Sequence, residues 1–338
     1  MIKVVYLIGA GASYGKRGKS SNTGEILPGR IERGLPVVNQ LEPALDYYCR
    51  SIQKNGPYGY LVDDSDYSIL YKELKWLRDK CHTYPTIDTY AKKLFVTGQV
   101  EELNRLKNAL SSFFVLIQSH EKRDLRYDGL VAAIIQDDGS LPNSVSVFSW
   151  NYDYQLEYVL RDFSSEQIGF GDIWQKNKIT CKGFKPNVDI NTFNCVKLNG
   201  TAMFSTSDGE LLSPDTCDES TIEGWYENGF QNRKSCISFA WEKNDIFLHD
   251  VLPLAKKAKT LVVIGYSFPY VNRLIDRTLI QSMDELQNVY IQDIAANDVM
   301  QSFETLFSGT QQIRVSQRTI HIHPITSVSQ FIIPHELA

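Results

Sequence analysis

The sequence predicts an α/β protein built on a doubly wound, mostly parallel Rossmann-like sheet, with a helical insertion after the first strand. Short runs rich in Val and Ile predict strands that helices cover on both faces. Helical patterns separate several of these runs, as a doubly wound topology requires. A glycine turn directly follows the first run. The predicted strands span residues 2–8, 144–150, 194–198, 260–265 and 289–293.

The first predicted strand ends abruptly in Gly9-Ala10-Gly11-Ala12-Ser13, which predicts a tight turn that presents its backbone. The turn departs from the dinucleotide-binding pattern G-x-G-x-x-G, because Tyr14 stands in place of the third glycine. Two interpretations stay open. The turn holds a polar ligand, or its glycines serve only close packing.

The segment that follows, residues 14–34, is rich in Gly, Lys, Arg and Ser and predicts an exposed loop able to close over a ligand. Four basic residues in this loop could neutralise a pyrophosphate when the loop closes, and the alternative is a solvated basic loop. These residues are Lys16, Arg17, Lys19 and Arg30.

A helical layer is predicted over residues 37–140, because apolar residues recur there at three- and four-residue steps, most clearly from Val100 to Ile117. Within it, Thr86 and Asp88 stand at a helix start, where they could satisfy free N–H groups. Residues 201–233 are polar without a clear period, and predict either an extended loop or a small lobe. We expect all of these parts to belong to a single domain over residues 1–338.

Two further helices are predicted near the end of the chain, over residues 243–258 and 271–283. In the second, Asn272 could reach a ligand at the strand end. Arg273, Asp276 and Arg277 predict a solvated helix face with ion pairing.

Composition and charge exclude several classes of function. The 338 residues are 43% hydrophobic and 22% charged, and the formal net charge of -5 argues against direct binding of nucleic acid. No apolar stretch approaches the roughly 18 residues that span a membrane, and the first apolar run is too short and too soon broken by glycine to predict a signal peptide, so we expect a cytoplasmic protein. The six cysteines are scattered and predict buried thiols rather than a metal site or a disulfide framework.

Polar and glycine residues follow each predicted strand, at the edge where ligands of open α/β sheets bind. The set suits phosphates and riboses. It comprises residues 9–13, Asn151, Asp153, Asn199, Gly200, Gly265, Tyr266, Ser267 and Asp293.

Several of these blocks, in the same order, resemble the signature blocks of the sirtuin-like family of bacterial proteins. The blocks are GAGAS, the Gly34-Leu35-Pro36 run, SWNYD, KLNG and IGYSF. Many members of that family are NAD hydrolases that act in defence against phages. The resemblance therefore implies a Rossmann-like fold and NAD as substrate or ligand. The two C-x-x-C pairs that hold zinc in deacetylating sirtuins are missing, so we expect no metal.

The resemblance also implies roles for individual residues. The turn Gly9, Ala10, Gly11, Ala12 and Ser13 would hold the pyrophosphate, and Pro36 and Gly200 belong to matching blocks. Asn151 would lie near the nicotinamide ribose, with Asp153 near the amide of nicotinamide. The adenosine half would lie against Gly265, Tyr266 and Ser267, with Asp293 at its ribose.

One position departs from the family pattern, because Asn199 stands where these enzymes carry a histidine that acts as a base. An amide takes up no proton near neutral pH, and a general base contributes roughly a hundred- to ten-thousand-fold in rate. Three interpretations follow: a slow enzyme, another base such as Asp153, or a site that binds without cleaving. His82, His120 and His249 are further candidates for a base, although none lies in a motif and each is typical of an ordinary surface residue.

We therefore predict an NAD hydrolase that produces nicotinamide and ADP-ribose in antiphage defence. Its activity would be restrained until a regulatory protein, a change in the oligomeric state of the protein or a signal molecule releases it. The alternative is a sensor that binds NAD or ADP-ribose without chemistry, with Asn199 as the cause. A transferase that passes ADP-ribose to an acceptor is a third possibility.

Overall fold

A computed structural model describes residues 3–21, 23–55, 68–120, 122–164, 168–185, 187–242, 245–307, 312, 314 and 319–337. The chain divides into two compact units. The sheet unit comprises Met1–Ala12, Leu125–Gly200 and Ser238–Ala338, and the helical unit comprises Ser13–Asp124 and Thr201–Ile237. The expectation of one domain over the whole chain stays a prediction.

Eleven strands and twelve α-helices form within the described residues. The strands are β1 (Lys3–Ile8), β2 (Lys16–Lys19), β3 (Ile26–Arg33), β4 (Val145–Ser149), β5 (Ile179–Cys181), β6 (Asn194–Lys197), β7 (Gly200–Thr206), β8 (Arg233–Ile237), β9 (Ala258–Ile264), β10 (Asn288–Gln292) and β11 (His321–Ile325). The helices are α1 (Leu41–Asn55), α2 (Ile69–Thr83), α3 (Ile87–Val96), α4 (Val100–His120), α5 (Arg126–Ile134), α6 (Gln155–Asp162), α7 (Phe170–Lys176), α8 (Glu219–Glu227), α9 (Asp245–Val251), α10 (Pro253–Lys256), α11 (Arg273–Gln281) and α12 (Ala296–Glu304).

The sheet unit is built on a seven-stranded sheet in the order β11-β10-β9-β1-β4-β6-β5. Every neighbouring pair within this sheet runs parallel. The sequence requires this burial, because β1 carries apolar side chains at successive positions and Val4–Ile8 are all buried. The predicted fold class, a doubly wound and mostly parallel Rossmann-like sheet, is confirmed.

The first strand, β1, lies at the centre of the sheet, with three strands on each side. On one side lie β4, β6 and β5, and on the other lie β9, β10 and β11. The strand order therefore reverses at β1, and crevices at such a point are where open α/β sheets bind ligands.

The C-terminal residues 327–332 are held against this sheet by hydrogen bonds. The Gln292 side chain donates to the carbonyl oxygens of Ser327 at 2.7 Å and Gln330 at 2.6 Å, and accepts from the amide of Ile332 at 3.1 Å. The Tyr6 hydroxyl donates to the Ile332 carbonyl at 3.2 Å.

The five predicted strands are confirmed as β1, β4, β6, β9 and β10. Two strands of the same sheet were not predicted. β5 has only three residues, and β11 is an edge strand with exposed histidines and Pro324, so neither shows an apolar run. Of the predicted helix over residues 243–258, the first two residues lie outside the described part, and α9 and α10 occupy most of the rest. The prediction over 271–283 is confirmed by α11.

Residues 14–34 were predicted to be an exposed loop, and this prediction is wrong. β2 and β3 pair there as an antiparallel hairpin of the helical unit, with Lys16 opposite Arg33 and Arg17 opposite Ile31. Gly15 and Gly34 make the close approach possible, because both have positive φ, and a Cβ on Gly15 would lie 2.2 Å from the Arg33 carbonyl oxygen.

The predicted helical layer over residues 37–140 corresponds to α1 to α5, of which α5 belongs to the sheet unit. The predicted cap is confirmed at Thr86, whose hydroxyl accepts from the Thr89 amide at 3.1 Å. Asp88 lies in the first turn, and burial raises its pKa to about 6. The segment 201–233, for which the sequence left a loop or a lobe open, contributes β7, α8 and the start of β8 to the helical unit.

No helix in the described part of the chain has the length and apolar character needed to cross a membrane.

Candidate functional site

The glycine turn continues directly from β1 at the carboxyl edge of the sheet. The Gly9 amide donates to the Ile264 carbonyl at 2.9 Å, and the Gly11 amide donates to the Gly265 carbonyl at 2.9 Å. The Ala12 amide donates to the Gly9 carbonyl at 2.9 Å and closes the turn. Three amides of this turn are therefore already bonded to protein oxygens, and a phosphate would have to share them.

The turns after β1 and β9 touch each other through their backbones. A Cβ on Gly9 would lie 2.6 Å from the Gly265 carbonyl oxygen, and one on Gly11 would lie 2.8 Å from the Gly265 Cα. Gly265 has φ of +57°, and its Cβ would lie 2.3 Å from the Ala12 nitrogen. Close packing therefore explains all three glycines, which supports the packing interpretation of the turn without excluding a ligand.

We expect Gly265→Ala to lower the free energy of unfolding by about 2 kcal/mol or more, because the left-handed backbone and the overlap with Ala12 both disfavour a side chain. Urea unfolding measures this change. Gly171→Ala is the matched control, since Gly171 lies on α7 with nothing within 4 Å of an added Cβ. Alanine is the better helix former by roughly 0.5–1 kcal/mol, so the control should gain stability. An unchanged Gly265→Ala protein would contradict the packing argument.

The turn after β4 carries Asn151 and Asp153, and it is anchored to β1 because the Trp150 amide donates to the Ile8 carbonyl at 2.9 Å. Asn151 is 5% exposed, and its backbone N–H donates to the Ser149 hydroxyl oxygen at 3.1 Å. Asp153 is also buried, and its carboxylate accepts from the backbone N–H of Gln155 at 3.2 Å, at the start of α6. Both predicted residues thus lie at the predicted edge.

Asn199 follows β6 and reaches the backbone beside Asn151. Its Nδ2 donates to the Trp150 carbonyl at 3.4 Å, and its own carbonyl accepts from the Ser238 amide at 2.8 Å. Asn199 is 7% exposed, and among the described residues its Oδ1 has no hydrogen-bond partner. A buried unpaired acceptor costs roughly 1–3 kcal/mol, so this oxygen is an exception that needs a reason.

A buried ion pair supports the turn that carries Asp153. The Lys197 ammonium lies 2.7 Å from the Glu157 carboxylate and also donates to the Asp153 carbonyl oxygen. Burial raises the pKa of Glu157. Burial also opposes the charged form of Lys197, but the neighbouring carboxylates of Glu157 and Asp153 outweigh it and raise the pKa of Lys197.

The prediction of a solvated face for α11 is wrong at Asp276. This carboxyl group is 0% exposed, and it accepts from the Trp150 indole at 3.1 Å and from the Tyr266 hydroxyl at 2.8 Å. The spacing could have revealed it, because Asp276 falls four residues after the buried Asn272 and three before the buried Leu279.

Sequence reasoning also missed Arg126, the first residue of α5. One Arg126 nitrogen donates to the carbonyl oxygens of Gly11 at 3.2 Å and Ala12 at 3.1 Å. The other donates to the Val328 carbonyl at 3.1 Å, and the guanidinium lies 5.0 Å from the Phe331 ring centre. No local pattern signals these contacts, because all of these partners are more than 100 residues away in sequence.

The remaining predicted residues fall into different places. Ser267 is exposed after β9, and the half-buried Asp293 accepts from the Ala295 amide at 2.9 Å at the start of α12. Gly200 follows Asn199 with φ of +71°. Ala10 begins the short 3-10 turn after β1. Ser13 and Pro36 are buried and belong to the helical unit.

The basic residues proposed to neutralise a pyrophosphate lie on the β2–β3 hairpin. Arg17 is buried and donates to the carbonyl oxygens of Tyr14 and Leu35, each at 2.6 Å, so the interpretation as a solvated residue is wrong for it. Lys16 is exposed and lies 2.7 Å from Glu32. Arg30 donates to the carbonyl of Lys19 at 3.1 Å.

The three histidines considered as replacement bases are all mostly exposed. Each lies near an acidic residue, at 3.7 Å for His82 and Glu42, 3.8 Å for His120 and Glu219, and 3.5 Å for His249 and Asp250. Among the described residues, no group of three or more His, Cys, Asp or Glu side chains could hold a metal ion.

No protein-family model and no curated protein sequence matches the chain. The solved structures to which it is similar include a Sir2 variant with a deacetylated p53 peptide and 3'-O-acetyl-ADP-ribose, at 13% identity over 94% of each chain and a TM-score of 0.36. They also include Sir2 with an inhibitor, 2'-O-acetyl-ADP-ribose and a deacetylated p53 peptide, at 12% identity over 93% of this chain and 94% of that chain, with a TM-score of 0.36. The fold class of the chain is assigned from its strand order and its parallel register.

Proposed function

We propose that the sheet unit binds NAD at the carboxyl edge of its sheet and cleaves it to nicotinamide and ADP-ribose. One observation carries the proposal. The turns after β1, β4 and β6 meet at this edge, with Asn151 and Asn199 both buried there and the Asn199 Oδ1 left unpaired. An NAD ribose with its hydroxyl groups has the donors that such amide oxygens accept from. The resemblance to sirtuin-like proteins supports the same ligand.

Cleavage needs little help from the protein. The nicotinamide ring of NAD is already positively charged, and it leaves as a neutral molecule. The bond from the anomeric carbon to the nicotinamide nitrogen breaks, and its electron pair stays with nicotinamide. The oxygen of water then bonds to the anomeric carbon, and its proton passes to a carboxylate or to solvent. Asn151 would orient the ribose or the water, and the negative charge of Asp153 would stabilise positive charge on the ribose.

A second candidate, a sensor that binds NAD or ADP-ribose without cleaving it, is favoured by the identity of residue 199. The Asn199 amide accepts no proton near neutral pH. The predicted carboxylate Asp153 accepts from the backbone N–H of Gln155 and is committed in part to the start of α6. A site that holds the ribose without an effective base would bind NAD and cleave it slowly or not at all.

We extend the proposal to the cellular role that the resemblance implies, which is defence against phages in the bacterial cytoplasm. Unrestrained loss of NAD would kill the producing cell. A regulatory partner, an oligomer or a signal would therefore have to hold the activity back.

The test is to incubate the purified full chain with NAD and measure free nicotinamide. We expect Asn151→Ala to reduce the release about a hundredfold or more, as loss of one group that stabilises a transition state does. Asn104→Ala is the control, because it makes the same change on an exposed position of α4. Binding of NAD without release by the unchanged protein would overturn hydrolysis in favour of the sensor. Absence of binding to NAD and to ADP-ribose would overturn both.

A further inference from the structure

Four buried side chains form a polar network beneath the strand-end turns of the sheet unit. The Asp276 carboxyl group accepts from the Trp150 indole at 3.1 Å through Oδ1 and from the Tyr266 hydroxyl at 2.8 Å through Oδ2. Asn272 Nδ2 donates to the Tyr266 hydroxyl oxygen at 3.0 Å. All four residues are at least nine-tenths buried. A carboxyl group so placed is expensive to bury, and its two donors define where it must lie.

The two donors come from different turns. Trp150 ends the run that leads from β4 to Asn151, and Tyr266 stands between Gly265 and Ser267 after β9. Their rings stack, with centres 5.8 Å apart and an angle of 17° between their planes. The strands β4 and β9 are not neighbours, since β1 lies between them. The network therefore joins two turns that the sheet itself does not join.

We propose that Asp276 is a positioning residue that fixes the turn carrying Asn151 against the turn carrying Ser267. This inference rests on the proposed function for its consequence in binding, because NAD would contact both turns. Asp276 itself touches the indole and the phenol and acts on the ligand only through them. Removing its carboxyl group takes away the acceptor that the Trp150 indole and the Tyr266 hydroxyl share, and the turns lose their common anchor.

The protonation of Asp276 gives the network a pH dependence. Burial raises the pKa of Asp276 from 3.8 to about 8, while the hydrogen bonds from Tyr266 and Trp150 and the charge of Arg273 lower it. Among the described residues, the Tyr266 phenol and the Arg273 guanidinium are the titratable groups that act on it. The pKa of Asp276 in the folded protein is above its ordinary value. Its contribution to the stability of the folded protein is therefore complete below about pH 4 and is lost as the pH rises through about 8.

The experiment is hydrogen exchange on the full chain, resolved for the segments 149–153 and 265–268, together with NAD affinity. In Asp276→Leu we expect protection to fall about tenfold or more in both segments, as local loss of a hydrogen-bonded anchor produces. NAD affinity should fall by a similar factor. Asp276→Asn keeps one acceptor, so exchange protection and NAD affinity should both fall less than in Asp276→Leu. In the unchanged protein, exchange protection of the two segments should decline between pH 6 and pH 9, and in Asp276→Asn it should not.

Asp298→Asn is the matched control, because it makes the same chemical change on an exposed position of α12. Unchanged protection in either segment of Asp276→Leu would overturn the proposal, and so would a loss spread evenly over β1, β4 and β9. If Asp276→Leu does not fold, the exchange and pH profile of Asp276→Asn decide the question alone. If the unchanged protein binds no NAD, the proposed function fails, and the exchange data still decide whether Asp276 positions the turns.

Discussion

Replacing Asn199 with histidine should raise the rate of nicotinamide release by roughly a hundred- to ten-thousand-fold, the range that a well-placed general base contributes. The position suits an imidazole. Asn199 now donates from Nδ2 to the Trp150 carbonyl at 3.4 Å. A histidine there could donate one ring N–H to the same carbonyl and keep its other nitrogen as a proton acceptor, as the tautomer of a catalytic histidine is commonly fixed.

The measurement is the rate of nicotinamide release at saturating NAD across pH 5 to pH 9. The rate of Asn199→His should rise with pH through the range where imidazole loses its proton, near pH 6.5. Asn199→Gln is the control, since it changes the size of the side chain without adding a base. If Asn199→His binds NAD but releases nicotinamide no faster than the unchanged protein, a missing base is not what limits the reaction, and the sensor interpretation loses its stated cause.

Breaking the buried ion pair below Asp153 should have the largest effect on stability. We expect Lys197→Met to lower the free energy of unfolding by about 3–5 kcal/mol, because it leaves the Glu157 carboxylate buried without its partner. Burial raises the pKa of Glu157 and Lys197 opposes that rise, so removing Lys197 raises the pKa of Glu157 further. A group with a raised folded pKa stabilises the protein at low pH and loses that contribution as the pH rises. The loss in Lys197→Met should therefore be greater at pH 8 than at pH 5.

Urea unfolding at these two pH values measures both the size and the direction of the change. Lys16→Met is the matched control, because the Lys16–Glu32 pair has the same separation of 2.7 Å but is exposed, and exposed pairs contribute little. Adding Glu157→Leu to Lys197→Met should restore much of the stability, since an apolar pair of similar volume removes the unpaired charge. Equal losses in Lys197→Met and Lys16→Met would contradict the argument.

The central sheet could be predicted from the sequence because its interior strands are buried on both faces, and such burial favours runs of apolar residues. β1, β4, β6, β9 and β10 satisfy this condition, although β6 also buries Asn194 and Lys197, and the polar residues after them mark the edge where Asn151 and Asn199 lie close together. The edge strand β11 does not satisfy it, since a strand with one neighbour can expose His321 and His323.

Other features could not be predicted because they depend on contacts distant in sequence. Arg126 lies on an ordinary helix start, and nothing near it indicates that its guanidinium binds the Gly11 and Ala12 carbonyls. Asp276 resembles a surface charge until Trp150 is placed above it, 126 residues away. The hairpin of residues 16–33 was missed because its basic composition suggested solvent, whereas Arg17 is bonded inward.

The direct backbone contact between Gly11 and Gly265 has a mechanical consequence. No side chain lies between the two turns to absorb a displacement, so a ligand that shifts the chain at Gly11 must also displace Gly265. Tyr266 follows Gly265 and transmits that shift to α11 through the Asp276 carboxyl group. A displacement at this edge would therefore be shared by the strands on both sides of β1.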